Sequence, residues 1–195
     1  MSVLDLHPSE ILTDRLRLRA PRRGDVIPLH AAIEETLGDL VPWLPWARVD
    51  HGLAETRRYL RAARSAWSRQ SAFEFVIELR DSQRIAGIVS LHRVDWVRAA
   101  AGLGYWVRRS ERNKGIAGEA ANAALGHALA GLRLHRIEAL VALENKASQR
   151  VVEKLGFVRE GVAREAEYVD GRYLDHVQYS FLRSDVRRAP DGEYR

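Results

Sequence analysis

The sequence has no cysteine, a single methionine and, among its 31 basic residues, only three lysines, Lys114, Lys146 and Lys154. Without cysteine there can be no disulfide framework, no thiolate metal site and no cysteine acyl-enzyme. No apolar run is long enough to span a bilayer, and the start, MSVLDLHPSE, lacks the basic and apolar regions of a signal peptide. A cytoplasmic protein is the simplest expectation. His7, His30, His51, His92, His127, His135 and His176 show no ligand spacing, so no metal site is expected. Internal repeats and low-complexity tracts are also missing.

At 195 residues, 46% of them apolar, the chain is long enough for one well-cored domain. Its net charge of +5 would suit an acidic partner. The arginines are scattered among acidic residues and form no long basic block, so no direct nucleic-acid binding is expected. The last ten residues, VRRAPDGEYR, read as a polar tail, which sets a domain at 1–185 and a tail at 186–195.

Periodicity orders the rest. Residues 15–20 alternate as a half-buried strand, and a helix follows from 24–25 to about 35. Two prolines keep 41–46 (VPWLPW) out of regular helix. Residues 53–69 form an amphipathic helix, and 73–79 and 85–91 a hairpin. A strand at 101–108, a helix at 115–132, a strand at 136–143 and a helix at 145–155 ended by Gly156 come next. Strands 158–167 and 172–182 meet at Asp170-Gly171, a hairpin signal. The order is that of an α+β fold with a mixed sheet and two crossover helices.

The segment Arg112-Asn113-Lys114-Gly115-Ile116-Ala117-Gly118 joins a strand to a long apolar-striped helix. Free N–H groups at such a terminus, with the helix dipole behind them, make an anion site. Small residues let phosphates approach the backbone, and Arg112 and Lys114 add positive charge. An ordinary glycine-rich helix start would look the same. A nucleoside-triphosphate loop is excluded, because no Gly-Lys-Ser/Thr ends the segment. The dinucleotide alternative, Gly102-x-Gly104, lies inside a strand pattern.

Arg112-x-x-Gly115-x-Ala117 resembles the pyrophosphate signature of the GNAT acetyltransferases. The surroundings match too: the Gly-Tyr-Trp-Val strand before it, Leu134-His135-Arg136-Ile137, Glu144-Asn145-Lys146-Ala147-Ser148 and Glu153-Lys154-Leu155-Gly156-Phe157. Together they are similar to the RimJ/RimL-like branch, which acetylates the N-termini of ribosomal proteins, over about 12–182. The resemblance implies a GNAT fold: a twisted, mostly antiparallel sheet of about seven strands, flanked by helices, whose central parallel strands splay in a V. It implies acetyl-CoA as cosubstrate, a protein N-terminus or a small amine as acceptor, and admits a homodimer. A polyamine, amino acid or aminoglycoside acceptor, and a non-catalytic acyl-CoA sensor, are the alternatives.

Carried over, Trp106 and Val107 hold the pantetheine arm, one of their N–H groups facing the thioester carbonyl. Residues 112–118 (Arg112, Asn113, Lys114, Gly115, Ile116, Ala117 and Gly118) hold the pyrophosphate. Asn145 contacts the arm, caps a helix, or does both. The tyrosine that many relatives place seven residues after this asparagine is Val152 here. The resemblance to the ribosomal-protein branch, which carries serine three residues after it, makes Ser148 the candidate acid toward the leaving thiolate. Glu167 is the candidate base, acting through water, with Glu74 the runner-up on a strand facing the acceptor channel. Trp43 and Trp46 would wall the acceptor site; Tyr105 and His135 are read as packing residues, and Asp175 as structural or part of the acceptor pocket. Freeing an N-terminal amine of its proton at neutral pH costs about 1.4 kcal/mol, against about 4.6 kcal/mol for a lysine. An α-amine acceptor therefore asks little of its base.

Overall fold

The computed structural model describes residues 10–188. Eight strands form one sheet: β1 (Glu10–Leu12), β2 (Leu16–Arg19), β3 (Phe73–Leu79), β4 (Ile85–Asp95), β5 (Ala100–Val107), β6 (Arg136–Ala142), β7 (Val158–Val169) and β8 (Arg172–Leu182). Their spatial order is β1-β2-β3-β4-β5-β6-β8-β7, and every neighbouring pair is antiparallel except β5 and β6. Four α-helices accompany them: α1 (Val26–Leu40), α2 (Leu53–Ser68), α3 (Ile116–Gly126) and α4 (Lys146–Lys154). A parallel pair needs a crossover, and α3 supplies it between β5 and β6.

The eighth strand is β1, whose three residues are too few to show a period. The helix expected through 132 is regular only to Gly126; His127–Gly131 widen into a π turn, closed by Leu132 N–H to His127 O at 2.9 Å. The His127 ring folds over Gly131, where a Cβ would stand 2.6 Å from its Nδ1. At the expected hairpin, Asp170 and Gly171 take φ of 47° and 79°, two left-handed residues in succession as a type I′ turn requires. The boundary expected at 186 falls inside a 3₁₀ segment, Arg183–Arg188, and the rest of the tail lies outside the described residues.

Helices cover both faces of the sheet. On one, Ile116, Ala120, Ala124, Ala128 and Leu132 are buried against β5, β6 and their neighbours, the small alanines letting the helix lie close. On the other, Leu29 and Ile33 of α1 and Leu60 of α2 pack on Val76, Ile88 and Trp106. The outer side of α2 presents Arg57, Arg58 and Arg61 to solvent. Among the described residues no helix is long and apolar enough to cross a membrane.

Two carboxylates paired with arginine contribute to the acid sensitivity expected of this fold. Burial would raise Glu35, but Arg108 and the N–H and hydroxyl of Ser110 outweigh it and hold its pKa at about 2. Arg136, with help from Ser180, holds Glu160 at about 2 as well. Both values lie below the ordinary 4.5, so the stabilisation is complete above that value and is lost as pH falls towards about 2. Urea midpoints should therefore hold level from neutrality to about pH 5 and then drop. The Glu35→Gln/Glu160→Gln double variant should show a shallower drop; an equal one would assign acid sensitivity to other groups.

Candidate active site

Strands β5 and β6 pair only over Ala100↔Arg136, Ala101↔Ile137 and Gly102↔Glu138. Beyond Gly102, β5 keeps β4 on one edge and has no strand on the other, while β6 runs on beside β8. The sheet opens there in the expected V, leaving backbone groups of β5 free, and two clefts border the opening.

The first cleft has a volume of about 490 Å³. Its lining includes Trp106, Val107, Arg112, Asn113, Gly115, Ile116, Ala117, Gly118 and Asn145. The turn into α3 is made by Asn113 and Gly115, both left-handed at φ of 59° and 79°. The first bond of the helix runs from Glu119 N–H to Gly115 O, so the N–H groups of Ile116, Ala117 and Gly118 precede the intrahelical ladder. Helix α1 fixes the approach: Glu35 binds Arg108, and Asp39 lies 2.7 Å from Arg109 and 3.0 Å from Arg112. Lys114 departs from expectation. It is absent from the lining, and its ammonium pairs at 3.0 Å with Glu111, a carboxylate that itself borders the cleft. Arg150 and Lys154, on one face of α4, border the cleft instead. Their spacing of four places both on one face of the helix, a signal that the sequence carries.

The second cleft, about 450 Å³, includes Trp43, His92, Gly104, Val152, Glu167 and His176 in its lining. Trp43, Leu44, Tyr105, Asn145 and Ser148 border both clefts and mark where they meet. Asn145 caps α4, its Oδ1 accepting from Ser148 N–H at 3.1 Å. That cap holds Ser148 in the first turn, with its Oγ 2.9 Å from the Tyr105 hydroxyl. Burial pushes Tyr105 up to about 12, against the opposing hydrogen bond of Ser148, so this hydroxyl keeps its proton. Read as a packing residue, Tyr105 stands at the junction. Glu167 reaches the second cleft because β7 is irregular between Ala163 and Glu167, where Glu165 turns left-handed and its N–H binds Asp175 Oδ1 at 2.8 Å. The Glu167 carboxylate then lies 3.5 Å from Nε2 of the buried His176.

Two other residues expected at the acceptor site lie elsewhere. Trp46 is packed among Tyr59, His51 and Trp106 and borders neither cleft. Glu74 is likewise outside both linings, its carboxylate accepting from Tyr59 Oη at 2.8 Å. Burial raises the Glu74 pKa against that hydrogen bond. Within the 41–46 segment one tryptophan thus borders the clefts and the other packs on the core. Among the described residues no cluster could hold a metal ion.

Residues 15–158 match the model of the acetyltransferase (GNAT) domain. Two Bacillus subtilis proteins with N-acetyltransferase names are 36% and 37% identical over 61% and 58% of this chain, which spans 66% and 63% of their lengths. The [ribosomal protein uS5]-alanine N-acetyltransferase of Escherichia coli is 30% identical over 86% of this chain and 87% of its own. Among solved structures, the RimL ribosomal L7/L12 α-N-protein acetyltransferase in complex with coenzyme A superimposes with a TM-score of 0.83 at 26% identity, covering 88% of this chain and 96% of that one.

Proposed function

The chain belongs to the GNAT acetyltransferase family, and from that membership we propose that it transfers the acetyl group of acetyl-CoA to a primary amine, the N-terminal α-amine of a ribosomal protein, in the cytoplasm. The observation that carries the reading is the meeting of two clefts at Ser148, one of them ending on the open turn at Gly115. Acetyl-CoA supplies an activated thioester. The first cleft suits its diphosphate: N–H groups before the α3 ladder face an anion without protein competition, and Arg112 adds charge. Asn145 spends its oxygen on the α4 cap, which leaves its amide nitrogen for a ligand. Just past β5, Arg108 N–H bonds Ala86 O of β4, so by alternation the Trp106 backbone faces β4. The Val107 N–H then points to the free edge, a donor for an extended arm or for the carbonyl that develops charge.

Transfer is direct, within a ternary complex: the amine in the second cleft attacks the thioester carbonyl and the thiolate of coenzyme A departs. Ser148 gives its proton to the departing sulfur, and the Tyr105 hydroxyl beside it restrains the serine side chain. Glu167, facing the second cleft, draws the proton of the amine through water. Trp43 walls the acceptor side. Trp46 and Glu74 have no part in this scheme. An acceptor screen with mass detection tests the reading: transfer is expected to peptides bearing ribosomal-protein N-termini. Transfer to polyamines, amino acids or aminoglycosides but to no peptide would replace it with a small-amine reading.

A further inference from the structure

Gly102-x-Gly104, which no phosphate-binding role explains, has a structural cause. In the β4–β5 register His92 lies opposite Gly102, and Ser90 opposite Gly104. A Cβ on Gly102 would stand 2.2 Å from His92 Cε1 and 2.7 Å from its Nδ1; one on Gly104 would stand 3.3 Å from Ser90 Oγ and 3.5 Å from His92 Cδ2 and Nε2. The imidazole therefore lies across β5 in space that two side chains would fill, with its Nε2–Cδ2 edge towards Gly104. Gly102 is also the last β5 residue paired with β6, so the ring sits at the fork of the V. Gly102 and Gly104 share the face of Trp106, which packs towards α1 and α2, whereas Tyr105 packs with the opposite cluster. His92 and the Tyr105–Ser148 pair thus belong to opposite sides of the opening.

We propose that the His92 imidazole docks the acceptor amine, accepting a hydrogen bond from its N–H at the fork between β5 and β6. This rests on the acetyltransferase reading and names its amine-binding group. A ring nitrogen is a suitable partner here: His92 borders the acceptor cleft, and no hydrogen bond to its ring occurs among the described residues. Burial, aided by Arg93, lowers its pKa to about 4, so the ring is uncharged near neutrality and does not repel a cationic acceptor. An amine held by one N–H keeps its lone pair for attack, with Glu167 across the same cleft for the proton to be lost. The two glycines are then specificity devices, keeping β5 low enough for the ring to lie on it.

Steady-state kinetics with the best peptide acceptor test this in the full-length protein. His92→Phe, which keeps a flat ring without an acceptor atom, should raise the acceptor KM about tenfold, as the loss of one hydrogen bond implies, with coenzyme A affinity unchanged. His92→Gln, which restores an acceptor oxygen, should recover KM to within about threefold of wild type. Gly102→Ala, which forces the ring off the strand, should match His92→Phe; the two His92 variants decide the matter even if it does not fold. Wild-type kinetics in His92→Phe, or equal loss in His92→Gln, would overturn the assignment. If the wild-type protein acetylates no amine, the acetyltransferase reading itself fails.

Discussion

A protein carrying Gly115→Glu should lose coenzyme A binding, by at least about 100-fold in Kd, while its fold survives. Gly115 sits at φ 79°, where a residue with a Cβ pays about 1–2 kcal/mol. A carboxylate brought within about 4 Å of a bound diphosphate adds repulsion on the order of 4 kcal/mol at the dielectric of a protein surface. At 1.4 kcal/mol for each factor of ten, the repulsion alone exceeds about 100-fold, and the strain adds to it only as far as the free turn relaxes away from this conformation. The local space is otherwise forgiving, since a Cβ at 115 meets only the flexible end of Arg15, at 3.3 Å. Gly115→Ala therefore separates strain from charge: it should cost no more than about thirtyfold, the value of the strain alone. Calorimetry with coenzyme A, beside a thermal midpoint for each variant, makes the comparison. Unchanged affinity in Gly115→Glu would move the nucleotide out of this turn.

Ser148→Ala should separate binding from turnover. The α4 cap uses the Ser148 backbone N–H, which alanine retains, so the helix and the first cleft should keep their shape. Coenzyme A affinity is expected to stay within about twofold, while kcat falls about 100-fold, the lower end of what a positioned general acid contributes. Tyr105→Phe removes the hydroxyl 2.9 Å from Ser148 Oγ and should lower kcat less, because the serine remains. Turnover unaffected by Ser148→Ala would assign protonation of the leaving sulfur elsewhere, with Tyr105 the neighbouring alternative. Pre-steady-state acetyl transfer resolves the chemical step from product release.

Local signals were the readable ones. Residues 73–79 are a strand-like apolar run ending at the polar Arg80-Asp81-Ser82-Gln83 turn, and β3 spans those same residues. Asp170-Gly171, Gly156 and the capping Asn145 act through their own dihedrals or hydrogen bonds, so neighbouring residues sufficed. What required distant partners was not readable. The period of β3 assigns Glu74 to a face, but the depth of that face is set by Tyr59 of α2, which covers the carboxylate. Lys114 adds to the charge of a sequence window, yet its ammonium is paired with Glu111, which offsets that charge at the border of the cleft. His92 gave no signal at all: its meaning lies in a β4–β5 register that pairs it with glycine, and register is settled by the whole sheet. Strand β4 likewise runs on to Asp95, past the expected end at 91, because β5 continues to pair with it.

A crystal structure of the protein with coenzyme A tests the central claim most directly. Diphosphate oxygens should lie within hydrogen-bond distance of the N–H groups of Ile116, Ala117 and Gly118, with the Arg112 guanidinium on the same anion. A nucleotide bound elsewhere, with the Gly115 turn bare, would contradict the account.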